Sequence, residues 1–287
     1  MTAVPPLTEA ATYDPRTTAE FYDRFAEREW ARLAGGTFNK IHVLTHQTML
    51  AAYVKLGDRV LEAGAGPGRF TIELAQLGAR IHVGDISKVQ LELNARNVAD
   101  AGHEASVIGR DHLDIVDLSR FADGAFDVAV CFGGALGCVL DQADRAAREL
   151  LRVVRPGGHL LVSVTSRHGF LRNAMPDVLH LAQSPPMLAA LDACVTSGDD
   201  LGLGRELRLT SHLFSWAELA GLLERSGGKV VDGSAANFLS SIRPDLDEKL
   251  LENPGVREAF YRWELAACRA PGAYDSGTHM IAVAQRG

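Results

Sequence analysis

The sequence predicts an α/β protein: a doubly wound, mostly parallel seven-stranded sheet with a helical N-terminal segment and inserted helical lid segments. Three observations carry that expectation. Between residues 56 and 165, short runs of β-branched and apolar residues alternate with amphipathic stretches of helical length, as βαβ units require. The first of these runs ends in a glycine-rich turn, "AGAGPG". Two further strand-like runs, "KVVDGS" and "THMIAVAQR", bring the number to seven. Right-handed crossovers then place helices on both faces of the sheet.

The elements follow in order. Thr17 with Glu20 forms a capping-box pair ahead of "EFYDRFAEREWARLAGG", with Phe21, Phe25 and Leu33 near one face and Gly35-Gly36 as the stop. A second helix, "IHVLTHQTMLAAYV", leads to the turn at residues 55–58. "RVLEAG" is the first strand, and a helix after Pro67 ends at Gly78. "RIHVGD" is the second strand, and Ser87 with Gln90 opens a helix ending near Gly102. "EASVIG" and "AFDVAVCF" are the third and fourth strands. The helix "DQADRAARELLRVV" stops at "RPGG" and feeds the fifth strand, "HLLVSVT". Beyond it, Ser215 with Glu218 caps "WAELAGLLERSGG" ahead of "KVVDGS". The organisation expected is an N-terminal helical cap (1–55), a ligand-binding core (56–165) and the rest of the sheet (166–287). The last part carries helical lid insertions at about 166–212 and 237–276.

Composition narrows the function. A formal net charge of −7 leaves no large basic footprint, so no nucleic-acid partner is expected. No run approaches the length of a transmembrane helix and no secretory leader is visible, so no membrane partner and a cytoplasmic location are expected. Cys131, Cys138, Cys194 and Cys268 lack CxxC spacing and read as reduced thiols. No His, Asp or Glu grouping has metal-ligand spacing, so no metal is expected.

Gly64, Gly66 and Gly68 put three glycines in five positions at the end of the first strand, where open parallel sheets bind ligands. Bare backbone there lets a ligand lie close to helix N–H groups. A tight turn without a ligand is the plain alternative, and dinucleotide enzymes use a similar turn. Arg69, however, stands where the dinucleotide fingerprint has its third glycine, and an acid, Glu62, precedes the turn.

In these residues the chain resembles the class I S-adenosylmethionine-dependent methyltransferases that act on small molecules. The resemblance covers about residues 56–164, with "VLEAGAGPG", "VGDIS", "HLDIVDL", "FADGAFDVAVCF" and "LLRVVRPGGHLLVSV" in the family's order. "FYDRFAEREW" resembles the helix that such enzymes fold over the cofactor. The resemblance implies S-adenosyl-L-methionine as cofactor and S-adenosyl-L-homocysteine as product. Glu62 and the backbone of Ala63, Gly64, Ala65 and Gly66 would face the methionine end, with Gly68 against the same half. Asp85 would accept the ribose hydroxyls and Ile86 would pack on adenine. Of the acids in "GRDHLDIVDL", Asp114 takes the family's adenine-amino position, with Ile115 beside it, in preference to Asp111. Cys131, Phe132 and Gly133 end the fourth strand, where the family places the reactive methyl. That strand carries "CFGGALG" in place of the Asn/Asp-Pro-Pro-aromatic signature of many base and amide methyltransferases.

The acceptor is read as a small, apolar or aromatic molecule methylated on O, N or C, with a specialised-metabolite role by analogy to the family. Two rivals are a nicotinamide-dependent oxidoreductase and a non-catalytic module that binds S-adenosylmethionine. A general base would be a histidine at hydrogen-bond reach. His212 in "TSHLFSW" and His279 at the start of the last strand are the candidates, with His42, His46 and His168 behind them. His82 and His159 read as structural. Tyr22 is placed to reach the cofactor carboxylate, Arg32 less so, and Trp30 reads as core. The oligomeric state stays open between monomer and homodimer.

Overall fold

The computed structural model describes residues 12–200, 209–242 and 251–287. Seven strands form one sheet: β1 (Arg59–Ala63), β2 (Arg80–Asp85), β3 (Val107–His112), β4 (Phe126–Cys131), β5 (Val154–Thr165), β8 (Gly228–Ala236) and β9 (His279–Arg286). Their order across the sheet is β3-β2-β1-β4-β5-β9-β8. The first five pair in parallel, and β9 runs antiparallel to both β5 and β8. Strand order reverses between β1 and β4, so a crevice opens beyond their carboxyl ends.

Both faces of the sheet are covered, and the strand residues alternate between two cores. Leu61, Ala63, Ala129 and Cys131 pack with α7 (Ala143–Val153) and α10 (Trp216–Arg225). Val60, Ile81, Val83 and Val130 face the other way, onto α3 (Thr37–Tyr53) and α4 (Arg69–Gln76). Helix α5 (Lys88–Asp100) lies beside α4 and begins at Ser87, whose hydroxyl accepts the Gln90 N–H at 3.1 Å.

The N-terminal segment departs from the single capped helix expected. Helix α1 (Pro15–Phe25) is capped by Asp14, with Pro15 at its first position, so the Thr17–Glu20 box does not form. The Asp14 carboxylate accepts both the Arg16 N–H and the Thr17 hydroxyl, and proline lacks the N–H it would otherwise leave unpaired. The chain then breaks at Ala26 (φ 45°) before α2 (Glu27–Arg32). Helix α3 starts at Thr37, a turn earlier than "IHVLTH" suggested.

After β5 come α8 (Arg167–Leu181) and α9 (Pro185–Ser197), and then a small ribbon pairs β6 (Asp199–Asp200) with β7 (Ser211–His212). Arg167 ties this segment to the core: its guanidinium donates to Glu218 at 2.6 Å and to the carbonyls of Thr196 and Ser197. Helix α11 (Pro254–Cys268) covers the end of β8. Parts of both expected lid insertions, 201–208 and 243–250, lie outside the described residues. Helix α6 (Ala135–Cys138) follows β4 directly.

Candidate active site

A cavity partly open to solvent sits at the carboxyl ends of β1, β2 and β4. Its floor is the glycine-rich turn. Gly64 (φ 73°) and Gly66 (φ 54°) hold backbone that favours glycine, and a Cβ on Gly64 would meet the Ala135 Cβ at 2.7 Å. The N–H groups of Gly64 and Ala65 donate to the Gly84 carbonyl, at 2.8 and 3.1 Å, which pins the turn to the end of β2.

Asp85 is buried at the cavity wall. One carboxylate oxygen accepts the Gly66 N–H and the other the Ser87 N–H, both at 2.8 Å. Each oxygen keeps a second lone pair, so the group can still accept two hydroxyls side by side. Burial pushes its pKa up to about 6 against those hydrogen bonds. Ile86, Leu113 and Ile115 provide apolar faces beside it. Asp114 also lines the cavity; it accepts the Val116 N–H at 2.9 Å and the Tyr13 hydroxyl at 2.9 Å. Asp111, the competing acid, is turned away onto His82 and Arg120.

The roof comes from the N-terminus. Tyr22, Glu29, Arg32 and Leu33 line the cavity, and Arg32 is paired to Glu29. Arg69 explains its place in the turn: its guanidinium stacks 4.0 Å from the Trp30 ring and donates to the Trp30 carbonyl at 3.2 Å. Trp30 thus clamps the roof to the turn and is not a core residue. Below, Asp23 accepts the Ser87 hydroxyl at 2.5 Å, and the Gln90 amide donates to the carbonyls of Tyr22 and Ala26.

The structure brings Tyr22, Gly64, Ala65, Gly66, Asp85, Ile86, Asp114, Ile115, Phe132 and Gly133 to this one cavity. Others lie behind its wall. Glu62 faces the α4 side of the sheet, wholly enclosed, and accepts the Thr71 hydroxyl at 2.6 Å; burial pushes it up to about 8. Ala63 and Cys131 point into the opposite core. Gly68 (φ 100°) caps α4 and packs against α5, where a Cβ would lie 3.1 Å from Val98, so its role is helix contact.

Neither histidine candidate reaches the cavity. His212 sits on the β6–β7 ribbon, bonded to Asp199 at 3.1 Å, in a separate surface cleft with Glu218 and Arg225. Helix α6 stands between: Ala135 and Cys138 line the cavity, while Gly137 packs on the His212 carbonyl. His279 packs edge-on against His42 at 4.8 Å, and His42 lies 4.4 Å from His46. Residues that sequence reasoning missed include Tyr13, Thr18 and Glu29 in the N-terminal segment, Leu113 after β3, Phe70 on α4, and Ala135 and Cys138 on α6. Tyr13 carried a weak signal, since an aromatic just ahead of a helix start suits a packed strap.

Fold and site together define an α/β enzyme that holds a nucleoside cofactor across the carboxyl ends of its strands. The family model described as a methyltransferase domain matches residues 60–158. Over 186 residues the chain is 33% identical to a demethylmenaquinone methyltransferase of Mycobacterium marinum, covering 60% of this chain and 74% of that protein. It is 27% identical to a ubiquinone/menaquinone biosynthesis C-methyltransferase of Pseudoalteromonas translucida, covering 52% and 65%. Among solved structures, the [4+2]-cyclase SpnF superposes with a TM-score of 0.61 at 19% identity, covering 97% of this chain and 99% of that one. The CcbJ methyltransferase from Streptomyces caelestis gives 0.60 at 16%, covering 96% and 100%. These two likenesses speak for the fold. The chain belongs to the class I S-adenosylmethionine-dependent methyltransferases, and S-adenosylmethionine is its cofactor.

The cavity fits that group. It offers a buried carboxylate for paired hydroxyls, a second carboxylate for an amino group, apolar faces for a base, and bare backbone at Gly133, where a Cβ would meet nothing within 4 Å. When bound, S-adenosylmethionine supplies an electrophilic methyl group on a sulfonium. The chain's own contribution is to hold, align and exclude water.

Proposed function

We propose that the enzyme methylates a small, planar, largely apolar acceptor in the cytoplasm, in the making of a quinone-like or other specialised metabolite. The relatives' names supply the quinone precedent. In this reading the ribose hydroxyls bind Asp85, the adenine lies between Ile86 and Ile115 with its amino group on Asp114, and the methionine end lies along Gly64–Gly66 beneath Tyr22 and Arg32. Glu62 acts from behind the turn, and His212 takes no part in the transfer. The N-terminal helices serve as the cap, and the segments after β5 and β8 serve as the acceptor-side lid.

The observation that carries the reading is Asp85: enclosed, at the switch point, and with a free lone pair on each oxygen. With the cofactor bound, the chain's own part in methyl transfer would be to align the acceptor with the methyl group and to keep water out. Thermal-shift measurements with S-adenosylmethionine, S-adenosylhomocysteine and NADH test it. At about 100 times its dissociation constant a ligand stabilises by roughly 2.7 kcal/mol. A shift with both adenosyl compounds and none with NADH is expected; a shift with NADH alone would sink the assignment.

A further inference from the structure

Two cationic side chains, Arg32 and Arg69, line the cavity near its glycine-rich turn, and they differ in what already holds them. Arg32 on α2 is paired within the roof. Its Nε donates to one Glu29 carboxylate oxygen at 3.0 Å and its Nη2 to the other at 2.5 Å. Its charge is thus matched by a carboxylate of its own helix. The Tyr22 hydroxyl, also in the roof, lies 3.7 Å from the Cys138 sulfur.

Arg69 opens α4, and no carboxylate of a described residue forms an ion pair with it. Glu73, one turn along the same helix, is the acid whose charge acts on it. Nη2 donates to the Trp30 carbonyl at 3.2 Å, and the guanidinium carbon stands 4.0 Å from the centre of the Trp30 ring. Nε is enclosed and has no partner. Nη1 donates to no described residue and is not enclosed, so it is an open donor on a residue that lines the cavity.

Burial lowers the pKa of this guanidinium, but from so far above neutrality that the group stays charged. Taking a cation out of water is costly unless its donors are met, and the Trp30 face offsets only part of that cost. Helix α4 adds to the positive field, because no side chain caps its first N–H groups. This end of the cavity is therefore short of one anion.

S-adenosylmethionine carries a single anionic group, the α-carboxylate of its methionine part. With ribose at Asp85 and adenine at Asp114, the methionine part falls at the turn after β1, where Arg69 stands. We propose that Arg69 receives that carboxylate through Nη1, and that Arg32 serves the roof instead of the ligand. The proposal rests on the cofactor placement above. One guanidinium then joins roof to ligand, with Trp30 on one side and the carboxylate on the other. Arginine also gains a chemical reason for standing where a dinucleotide turn has glycine. An amino-acid carboxylate is met by a cation, whereas a pyrophosphate lies against bare backbone.

The test uses the full chain and calorimetry with two ligands. One is S-adenosylhomocysteine; the other is its decarboxylated analogue, which keeps the amine and lacks only the carboxylate. We expect the wild type to favour S-adenosylhomocysteine by roughly 10- to 100-fold, the size of a hydrogen bond between charged groups. Arg69→Met, which keeps an unbranched side chain against Trp30, should abolish that preference and leave the decarboxylated analogue bound within about threefold. Arg69→Lys should restore part of the preference, since a point charge replaces the fork. Should the methionine variant fail to fold, Arg69→Gln, which can still donate to the Trp30 carbonyl, is read in the same way. Equal losses for the two ligands would make Arg69 a clamp for the roof alone and overturn the proposal. A preference that survives in the neutral variant, or a wild type that binds both ligands alike, would overturn it too. A wild type without affinity for S-adenosylhomocysteine would instead overturn the cofactor placement, and the proposal with it.

Discussion

Below its N-terminal roof, the cofactor cavity takes its polar groups from the ends of β1, β2 and β3 and the turns just after them: Gly64 and Gly66, then Asp85, then Asp114. The histidine cluster beside it is gathered from the two ends of the chain: His42 and His46 near the start, Asn237 after β8, and His279 at β9. One site is written locally, within a strand and the few residues after it. The other exists only once α3, β8 and β9 have met. Burial acts on both with opposite results. It pushes Asp85 and Glu62 up and the imidazoles down, so each region sheds the charge it would carry in water. An incoming sulfonium favours renewed ionisation of the acids and continued neutrality of the imidazoles.

The largest expected effect breaks the local site alone. Gly66→Val forces a β-branched residue to φ 54°, and its nearest neighbour, Glu29, lies 3.9 Å from the new Cβ, at the cavity. The strain, about 1–2 kcal/mol, leaves the two cores intact. Calorimetry should detect no S-adenosylhomocysteine binding while the far-ultraviolet circular dichroism is unchanged. Retained affinity would mean that the cofactor does not lie along this turn.

Asp85→Ala comes next. It removes two charge-assisted acceptors and strands the Gly66 and Ser87 N–H groups. Loss of about 2–3 kcal/mol in cofactor binding, roughly a hundredfold in dissociation constant, is expected by titration. An effect below threefold would remove Asp85 from the ribose assignment.

The contrast between the two sites also explains what could be read from the chain. Six of the seven strands were legible as short apolar runs bounded by glycine, proline or a capping serine; the third, expected over "EASVIG", runs Val107–His112 because Glu104–Ser106 forms a 3-10 turn ahead of it. The turn, Asp85 and Asp114 were legible because their positions are fixed by the strand just before them. Its place ahead of the turn makes Glu62 a ligand-facing acid in the sequence, yet strand alternation puts it on the same face as Val60, beneath α4. His212 fell at a sequence position near the open edge, but pairing of β6 with β7 turns it onto Asp199. The break at Ala26 was invisible because no glycine or proline marks it; at the break the Gln90 amide donates to the Tyr22 and Ala26 carbonyls. The contact between the His46 ring and Phe132, which lines the cavity, is encoded by no spacing in the sequence.

Asn237→Gly probes the non-local region with the local one as control. Asn237 is enclosed at φ 61°, which glycine adopts without strain, so the change isolates the hydrogen bonds to His42, Phe38 and Ser240. Thermal denaturation should report a loss of about 1–3 kcal/mol. Affinity for S-adenosylhomocysteine should stay within about twofold, as for an independent site. A parallel loss of affinity would show the two regions to be coupled.

The last effect is a slope, on which the two regions act with opposite sign. The histidines titrate lower when folded than their ordinary 6.5, so the unfolded chain binds more protons in acid and stability falls as pH drops below about 6.5. Each buried histidine contributes up to roughly 1.4 kcal/mol per pH unit in that limb. Glu62 behaves oppositely: its folded value of about 8 exceeds the ordinary 4.5, so its contribution is full below 4.5 and is lost as pH rises through 8. Asp85, at about 6, adds to the same trend at lower pH and blunts the acid limb. The cofactor-free protein should therefore be most stable near neutrality, with a decline on both sides in denaturant midpoints measured from pH 5 to 8. Glu62→Gln should flatten the alkaline side and steepen the acid side, since its window runs from 4.5 to about 8, and His46→Gln should shallow the acid side only. A His46→Gln protein with an altered alkaline limb would show that the two sites share their protons, and that the wall of rings between them does not isolate one from the other.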